Sequence, residues 1–295
     1  MNEVGYLELL RKVINDGESR ETRNGTTLSI FGPRLEFNLK DQFPLITTKK
    51  MFIKGIFTEL LWFLNGRTDN KLLQNEGVHI WDGNSSREYL DKRGLKDNEE
   101  GDCGPIYGFQ WRRFNCSYLG KNVDISQIPI HKREQDQLIE VIRLIREEPM
   151  SRRIIINGWN PCQMDIMCLE PCHVLYQFYV RIKEGQKYLS CHLYQRSADL
   201  FLGVPFNIAS ASLLTYILSS ITDSAPDRLI ISFGDAHIYE NHIEHVKLQL
   251  DRIPFQPPKI IIPNMSIDKL SNYNWTDFRI VDYQSHSAIK ADMIA

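Results

Sequence analysis

The sequence lacks an excess of charge of one sign, internal repeats and low-complexity tracts. Its 35 Lys and Arg residues face 37 Asp and Glu residues, which gives a formal net charge of -2. This balance supplies no global basic field for a nucleic acid or an anionic membrane, so local arginines must hold any bound anion. The absence of a repeat period of about 20 to 50 residues excludes solenoids and propellers.

Long apolar runs are also missing. The first residues, MNEVGYLELLRK, show no apolar core of a signal peptide. The most apolar stretch, IFTELLWFL at 56–64, is about half the length of a membrane span and contains Glu59. We therefore expect a soluble protein of the cytoplasm, or also of the nucleus, that does not bind membranes.

The cysteines include no CxxC pair. A zinc site formed by Cys162, Cys168, Cys172 and His173 is disfavoured, because these spacings match no common zinc motif. A chain of 295 residues can build a core without disulfides, so we expect free thiols and no metal.

Hydrophobic patterns predict a single domain over residues 1–295, of the α/β class and built around a large sheet. Polar or irregular segments near 82–104 and 115–133 are interpreted as surface insertions. Helices are predicted over 3–16, 51–65, 134–147, 206–220 and 237–250. Strands are predicted for TTLSIFG and RLEFNLK, as a hairpin about Gly32 and Pro33, and for RRIIINGW, HVLYQFYVRI, YLSCHLYQ, RLIISFG and KIIIP.

Cys172 is the candidate nucleophile. It follows Pro171 and directly precedes an apolar strand, where backbone and sheet can hold a thiol rigidly. On local sequence alone, a buried structural cysteine is the commoner alternative.

Polar residues also cluster in Gln195-Arg196-Ser197-Ala198-Asp199, which is interpreted as a short turn after a strand. Arg196 and Ser197 are suited to a phosphate, and the alternative is a salt bridge between Arg196 and Asp199. Asn207, at the start of an apolar helix, can read an amide-bearing ring such as a pyrimidine, or can cap the helix.

Other candidate ligand contacts lie near predicted element ends. Arg23, Arg152 and Arg153 could join Arg196 around a phosphate dianion, although each alone is more often a solvated surface charge. His237 and Tyr239, placed at a strand-to-helix junction, could hold sugar hydroxyls.

The order of the longer motifs indicates a family. The sequence contains TTLSIFG, FPLITTKK, ELLWFL, IWD, GPIYGFQW, SRRIII, PCH, QFYV, LYQRSAD, LGVPFNIAS and GDAHIY. From about residue 20 onward it resembles the folate-dependent thymidylate synthases that use a cysteine nucleophile. The resemblance implies a three-layer α/β (α+β) fold whose large mixed sheet packs in a homodimer.

The resemblance also implies a reaction. Cys172 would add to C6 of the uracil of dUMP, and 5,10-methylenetetrahydrofolate would donate a one-carbon unit and a hydride, giving dTMP and dihydrofolate. Glu59 would relay protons, and its burial should raise its pKa toward neutrality. Tyr107 would assist deprotonation at C5.

The resemblance assigns the ligand contacts as well. For dUMP these are Arg23, Gln195, Arg196, Ser197, Asn207, His237 and Tyr239, with Arg152 and Arg153 reaching the site of the partner subunit. For folate they are Lys49, Ile80, Trp81, Asp199 and the carboxylate of Ala295 in a closing lid.

Two alternatives have different functions. Deoxycytidylate hydroxymethylase, the nearest alternative that the resemblance leaves, shares the fold and the nucleophile but reads cytosine, typically with Asp where this chain has Asn207, so the amide favours uracil. A secondary role in binding messenger RNA is disfavoured by the near-neutral charge and the lack of an RNA-binding module.

Overall fold

Helices and strands are mixed along the residues that the structure describes, which are 2–131 and 134–293 of a computed structural model. The helices are α1 (Asn2–Asp16), α2 (Ile53–Leu64), α3 (Asn70–Asn75), α4 (Asp82–Ser85), α5 (Arg87–Lys92), α6 (Tyr107–Arg112), α7 (Gln137–Glu147), α8 (Gly203–Ile221) and α9 (Ile243–Leu250). The strands are β1 (Glu18–Thr22), β2 (Gly25–Phe31), β3 (Arg34–Asn38), β4 (Ile155–Asn157), β5 (His173–Lys183), β6 (Gln186–Asp199), β7 (Ser224–Tyr239), β8 (Lys259–Ile261) and β9 (Arg279–Val281).

Seven strands form one mixed sheet in the order β1-β2-β7-β6-β5-β4, and β3 also pairs with β7. Strands β6 and β7 run parallel, whereas β2 and β3 are antiparallel to β7. The fold class predicted from the sequence, α/β with a large mixed sheet, is confirmed.

The predicted hairpin about Gly32 and Pro33 is wrong. Strands β2 and β3 both exist, but they pair with successive parts of β7, with Phe31 opposite Asp235 and Arg34 opposite Ser232. The long β7 therefore binds both strands end to end, and β2 forms its hairpin with β1, a strand that the sequence pattern did not predict.

The helix predicted over 237–250 begins later than expected. Strand β7 continues to Tyr239, and α9 starts at Ile243 after a short 3-10 turn. His237 and Tyr239 therefore lie within a strand, because the ladder to β2 extends to the pair Thr27 and Tyr239.

The described residues group into two compact units along the chain. The first comprises Met1–Phe52, Phe178–Asn264 and Thr276–Ala295, and the second comprises Ile53–Gln177 and Met265–Trp275. The single catalytic domain with two surface insertions stays a prediction. The segment 82–104 itself contains the short helices α4 and α5.

The core of the first unit lies between α8 and strands β6 and β7. Leu193 of β6 and Leu229, Ile231 and Phe233 of β7 are all buried. Alternate residues share one face of a strand, so the polar positions 235, 237 and 239 continue the face that these apolar residues begin. This unit thus places polar side chains at one end of an apolar sheet face.

Among the described residues, α8 is the one helix long and apolar enough to cross a membrane by length and composition. Its apolar window is 78% buried, and the helix packs on β6 and β7. Its hydrophobicity therefore serves the core of the first unit.

In the second unit, α2 and α6 pack against each other. The apolar side of α2 buries Ile56, Leu60 and Phe63, as the helical spacing predicts. Gly108 of α6 permits this approach, because a Cβ there would lie 2.5 Å from the carbonyl oxygen of Phe63.

Candidate active site

Glu59 projects from the apolar helix α2 in the second unit. Its Oε1 accepts a hydrogen bond of 2.7 Å from the indole nitrogen of Trp81. Burial raises the pKa of Glu59 to about 7, although the bond from Trp81 opposes this shift. The carboxyl can therefore either hold or release a proton near neutral pH, as the sequence predicts.

Tyr107 begins α6 and is 4% exposed. Its ring lies 4.9 Å from the ring of Phe63 and 6.0 Å from that of Trp81, measured between centroids. Burial, reinforced by nearby Cys172, raises the pKa of the phenol well above its usual range. Tyr107 consequently stays protonated at neutral pH and can donate a proton in a hydrogen bond.

Cys172 directly precedes β5, as predicted, and its side chain is half-buried. Its backbone N–H donates a hydrogen bond of 2.8 Å to the phenol oxygen of Tyr107. The next residue, His173, is buried and its ring lies 5.4 Å from the ring of Tyr107. The thiol therefore sits on a strand end that is tied to α6.

These residues form one group, the nucleophile cluster, defined as Glu59, Trp81, Tyr107 and Cys172. Trp81 is buried against Trp62 and Phe63, while the neighbouring Ile80 is half-buried. The cluster combines a thiol, a carboxyl whose pKa is near 7 and a protonated phenol. Nucleophilic addition coupled to proton transfer needs these groups.

Arg152 and Arg153 lie on the exposed connection between α7 and β4. The side chain of Arg153 is 82% exposed and lies 3.7 Å from Glu148. The carbonyl of Arg152 accepts a bond from Gln177. Their predicted contact with a phosphate stays a prediction.

In the first unit, polar side chains line up where β6 and β7 run parallel. Ser197 lies opposite Asp235, and Asp199 lies opposite His237. The segment Gln195 to Asp199 is thus the end of strand β6, and its interpretation as a short turn is wrong. The parallel ladder keeps these residues extended.

A chain of hydrogen bonds fixes the orientation of Asn207. The Nε2 of the buried Gln195 donates to the carbonyl of Ser197 at 3.0 Å and to Oδ1 of Asn207 at 2.9 Å. Since a carbonyl only accepts, the Gln195 group facing it must be the NH2, and the Asn207 group facing that NH2 must be the oxygen. The Asn207 amide is therefore held in one orientation.

Asn207 is not the cap of α8. The helix begins at Gly203 and its N-cap residue is Leu202, so Asn207 lies within the helix. The alternative of a helix cap is therefore wrong, and the bond to Gln195 accounts for the position of the amide.

His237 is buried and its Nδ1 lies 3.1 Å from Oδ1 of Asp235, two residues earlier on the same face of β7. The same carboxylate accepts from Ser29 at 2.8 Å and pairs with Arg20 at 2.5 Å. The hydrogen bond with His237 is the largest cause of the lowered pKa of Asp235, and the positive charge of Arg20 contributes less. In a neutral imidazole, a carboxylate at this position makes Nδ1 the protonated nitrogen and leaves Nε2 as an acceptor.

Sequence reasoning missed Asp235, although it belongs to the motif GDAHIY. The signal was the spacing of two between Asp235 and His237, which places both on one face of a strand. It was overlooked because the motif was assigned to a junction between a strand and a helix.

Lys49 is 5% exposed, and its ammonium donates to the carbonyl of Phe201 and lies 3.9 Å from the centre of that ring. Burial lowers its pKa to about 8, while Asp199 acts in the opposite direction. Oδ1 of Asp199 accepts hydrogen bonds from the backbone N–H groups of Phe201 and Leu202. Contact of Lys49 with a folate tail stays a prediction.

The remaining predicted contacts differ in their exposure. Arg23 is exposed in the turn between β1 and β2, whereas Arg196, Ser197 and Tyr239 are half-buried. Ala295 falls outside the described residues. Within those residues, no three His, Cys, Asp or Glu side chains gather as metal ligands, and each cysteine is a thiol rather than half of a disulfide.

Comparison with known proteins gives a consistent result. The sequence profile of a family described as thymidylate synthase matches residues 4–295. Thymidylate synthase of Saccharomyces cerevisiae is 48% identical over 299 residues, covering 99% of this chain and 96% of the yeast protein. Thymidylate synthase of Homo sapiens is 47% identical over 292 residues, covering 99% of this chain and 90% of the human protein.

A longer relative shares the same region. The bifunctional dihydrofolate reductase-thymidylate synthase of Zea mays is 46% identical over 292 residues. The match covers 99% of this chain but 54% of the maize protein.

Proposed function

Because the chain belongs to the thymidylate synthase family, we propose that Cys172, Glu59 and Tyr107 carry out the methylation of dUMP to dTMP. The observation that supports these roles is the nucleophile cluster, in which the N–H of Cys172 is bonded to Tyr107 at 2.8 Å. The thiolate of Cys172 adds to C6 of the uracil, which makes C5 a carbon nucleophile. C5 then bonds to the one-carbon unit of the folate, C5 loses its proton, and the bond between that carbon and the folate nitrogen breaks. Hydride transfer to the same carbon expels the thiolate from C6 and restores the ring.

The proton steps fall to the other two residues. Glu59, with a pKa of about 7, exchanges a proton with the pyrimidine carbonyl through water. Tyr107, which stays protonated, donates a hydrogen bond to the water or base that removes the C5 proton. The aromatic wall of Trp81 and Phe63 excludes bulk water around both groups.

The family uses folate as a co-substrate. Bound 5,10-methylenetetrahydrofolate supplies the one-carbon unit and the hydride, and leaves as dihydrofolate. The side chains present fit its parts, because Asp199 is an acceptor for pterin N–H groups, the indole of Trp81 is a flat aromatic surface and Ile80 is an apolar contact. Lys49 is the candidate for the glutamate tail, and Ala295 for a closing lid.

The orientation of Asn207 supports uracil as the base. Its Oδ1 keeps one lone pair for the N3–H of uracil while the other accepts from Gln195, and its NH2 can donate to O4. Cytosine would require the flipped amide, which would face the NH2 of Gln195 with another NH2. This relationship disfavours deoxycytidylate hydroxymethylase.

The sugar and phosphate are assigned by chemistry. His237 and Tyr239 bind the ribose 3'-hydroxyl, with Nε2 of His237 as an acceptor. Gln195 lines the same pocket. Arg23, Arg196 and Ser197 bind the phosphate, and Arg152 and Arg153 of each subunit reach the phosphate of its partner.

The test of this function is direct. Protein mixed with dUMP and 5,10-methylenetetrahydrofolate should form dTMP and dihydrofolate in equal amounts, measured by chromatography and by absorbance. Conversion of dCMP to its hydroxymethyl derivative under the same conditions, with dUMP unchanged, would favour the alternative enzyme.

We further propose that the protein is a homodimer and lies in the cytoplasm. Exposed aromatic side chains on the strands support it, with Phe31 83%, Tyr179 65% and Tyr194 40% exposed. Mixing inactive Cys172→Ser and Arg152→Glu proteins under conditions of subunit exchange should restore activity, because one site of each mixed dimer then has every native group. Exchange without activity would contradict arginines shared across subunits.

A further inference from the structure

The residues before Cys172 contain little regular structure. A short 3-10 turn ends at Ile166, and β5 begins at His173. We call residues 167–172 the nucleophile loop. Because this loop lies outside helices and strands, contacts with other parts of the second unit must hold its backbone.

Arg93 makes such a contact. Its Nη2 donates to Oε1 of Glu170 at 2.7 Å and to the carbonyl oxygen of Met167 at 3.2 Å. Both charged side chains are about three-quarters buried, with 24% and 25% exposed. One guanidinium nitrogen therefore bridges two points of the nucleophile loop, through bonds strengthened by its charge.

A second contact comes from the same part of the chain as Arg93. The N–H of Cys168 donates to the carbonyl of Cys103 at 3.0 Å. A Cβ on Gly104 would lie 2.1 Å from the carbonyl oxygen of Ile166, so the two backbones touch directly and only glycine fits. Segment 82–104, which was interpreted from the sequence as a surface insertion, thus packs against the nucleophile loop.

We propose that Arg93, through its bonds to Glu170 and Met167, is a positioning residue that holds Cys172 in place for catalysis. The proposal rests on the assignment of Cys172 as the nucleophile. If the loop is released, the N–H of Cys172 loses its fixed relation to Tyr107, and the thiol no longer meets C6 of the substrate in a constant geometry. Arg93 acts through the loop and does not touch the reacting atoms.

The expected effect is on turnover more than on binding. Misplacing a reacting group by about 1 Å can cost roughly a hundredfold in rate, so Arg93→Ala should lower kcat about ten- to hundredfold. The KM for dUMP should change less than about threefold, because no base or phosphate contact is removed. Glu170→Gln keeps an acceptor for Arg93 and should retain most of the activity.

Hydrogen exchange measured by mass spectrometry tests the positioning itself. In the full-length protein, the peptide covering residues 167–172 should exchange faster in Arg93→Ala than in the wild type. The matched control is Arg87→Ala, because Arg87 of α5 pairs with Asp91 and donates to the carbonyls of Leu95 and Asn98 without touching the loop. Arg87→Ala should leave both kcat and loop exchange near their wild-type values.

The outcomes separate this proposal from the proposed function. Unchanged exchange at 167–172 in Arg93→Ala overturns the positioning role, as does an equal loss of kcat in Arg87→Ala. If Arg93→Ala does not fold, Arg93→Lys decides in the same way, since lysine keeps the charge but cannot bridge both acceptors in the arginine geometry. Faster loop exchange in a protein whose wild type does not convert dUMP would contradict the proposed function and leave the loop contact standing.

Discussion

The backbone N–H of Cys172 donates to the phenol oxygen of Tyr107 at 2.8 Å. The bond joins the start of β5 to the start of α6, and it engages the phenol oxygen rather than its proton. One residue can therefore both hold the nucleophile and take part in proton transfer.

Tyr107→Phe tests the two hydrogen-bonding roles of Tyr107 separately from the packing of its ring. The ring remains, but Cys172 loses its acceptor and the reaction loses a hydrogen-bond donor, so kcat should fall about ten- to a thousandfold. Steady-state kinetics measure the effect. Tyr118→Phe is the matched control, because Tyr118 is another hydrogen-bonded phenol of the second unit, bound to Asp102 at 2.6 Å. Equal losses in the two variants would contradict a specific role for Tyr107.

Glu59→Gln should reduce kcat about a hundredfold or more, because the amide cannot exchange the proton. It should also change how stability depends on pH. Burial raises the pKa of Glu59 from 4.5 to about 7, so in this range the folded state keeps a proton that the unfolded state releases. The contribution of Glu59 to the wild-type free energy of unfolding therefore falls as pH rises from about 4.5 to about 7 and is level above it.

In Glu59→Gln the decrease in the free energy of unfolding that Glu59 causes is absent. Its free energy of unfolding, relative to that of the wild type, should increase by roughly 2 kcal/mol between pH 5 and pH 8, measured by urea denaturation at equal protein concentration. Glu140→Gln is the control, because the bond from Arg143 lowers the pKa of Glu140 and predicts no such gain. A constant difference between Glu59→Gln and wild type at both pH values would show that Glu59 is not perturbed.

Asn207→Asp should shift base preference toward cytosine. The carboxylate still accepts from Gln195 but loses the donor to uracil O4 and offers an acceptor to the cytosine amine. A mispaired buried polar group costs about 1 to 3 kcal/mol, which corresponds to roughly ten- to hundredfold in relative kcat/KM. The ratio of kcat/KM for dUMP and dCMP measures it. The same ratio in both proteins would show that Asn207 does not read the base.

Asp235→Ala should weaken recognition of the sugar by releasing His237. The wild type should bind dUMP more tightly than 2',3'-dideoxyuridine monophosphate by about three- to tenfold, the worth of one hydrogen bond. The variant should lose most of this preference, whereas Asp235→Asn, which keeps an acceptor for Nδ1, should retain it. Calorimetry with both nucleotides decides, and equal weakening of both by Asp235→Ala would indicate a general structural defect.

Sequence periodicity predicted the regular elements well where apolar residues dominate. Helices α2 and α8 and strand β5 lie where expected, because their apolar faces pack against a core, whereas β6 extends four residues beyond its predicted end. The largest error involves strand pairing. Nothing local distinguishes a β2-β3 hairpin from two strands laid along one long partner, since that choice depends on residues about 200 positions away.

For the candidate site too, the sequence predicts local features but not contacts between distant residues. Cys172 beside Pro171 and Glu59 on an apolar helix are visible in the sequence, because each contrasts with its neighbours. The bond between Arg93 and Glu170 spans 77 residues and no spacing signals it. The orientation of Asn207 likewise depends on Gln195 in another element.

The central claim is that Cys172 is the nucleophile that attacks C6 of the uracil ring. Replacing the thiol by a hydroxyl in Cys172→Ser should abolish turnover but leave dUMP binding largely intact, because a serine hydroxyl is a far poorer nucleophile at neutral pH. Single alanine variants of Cys103, Cys116, Cys162, Cys168 and Cys191 should remain active.

The most direct measurement uses 5-fluoro-dUMP together with 5,10-methylenetetrahydrofolate. Fluorine at C5 cannot leave as a proton does, so the covalent complex should accumulate and be visible by mass spectrometry of the intact protein. Peptide mapping should locate the nucleotide on Cys172, and Cys172→Ser should form no adduct. An adduct on another residue, or an adduct that persists in Cys172→Ser, would contradict the account.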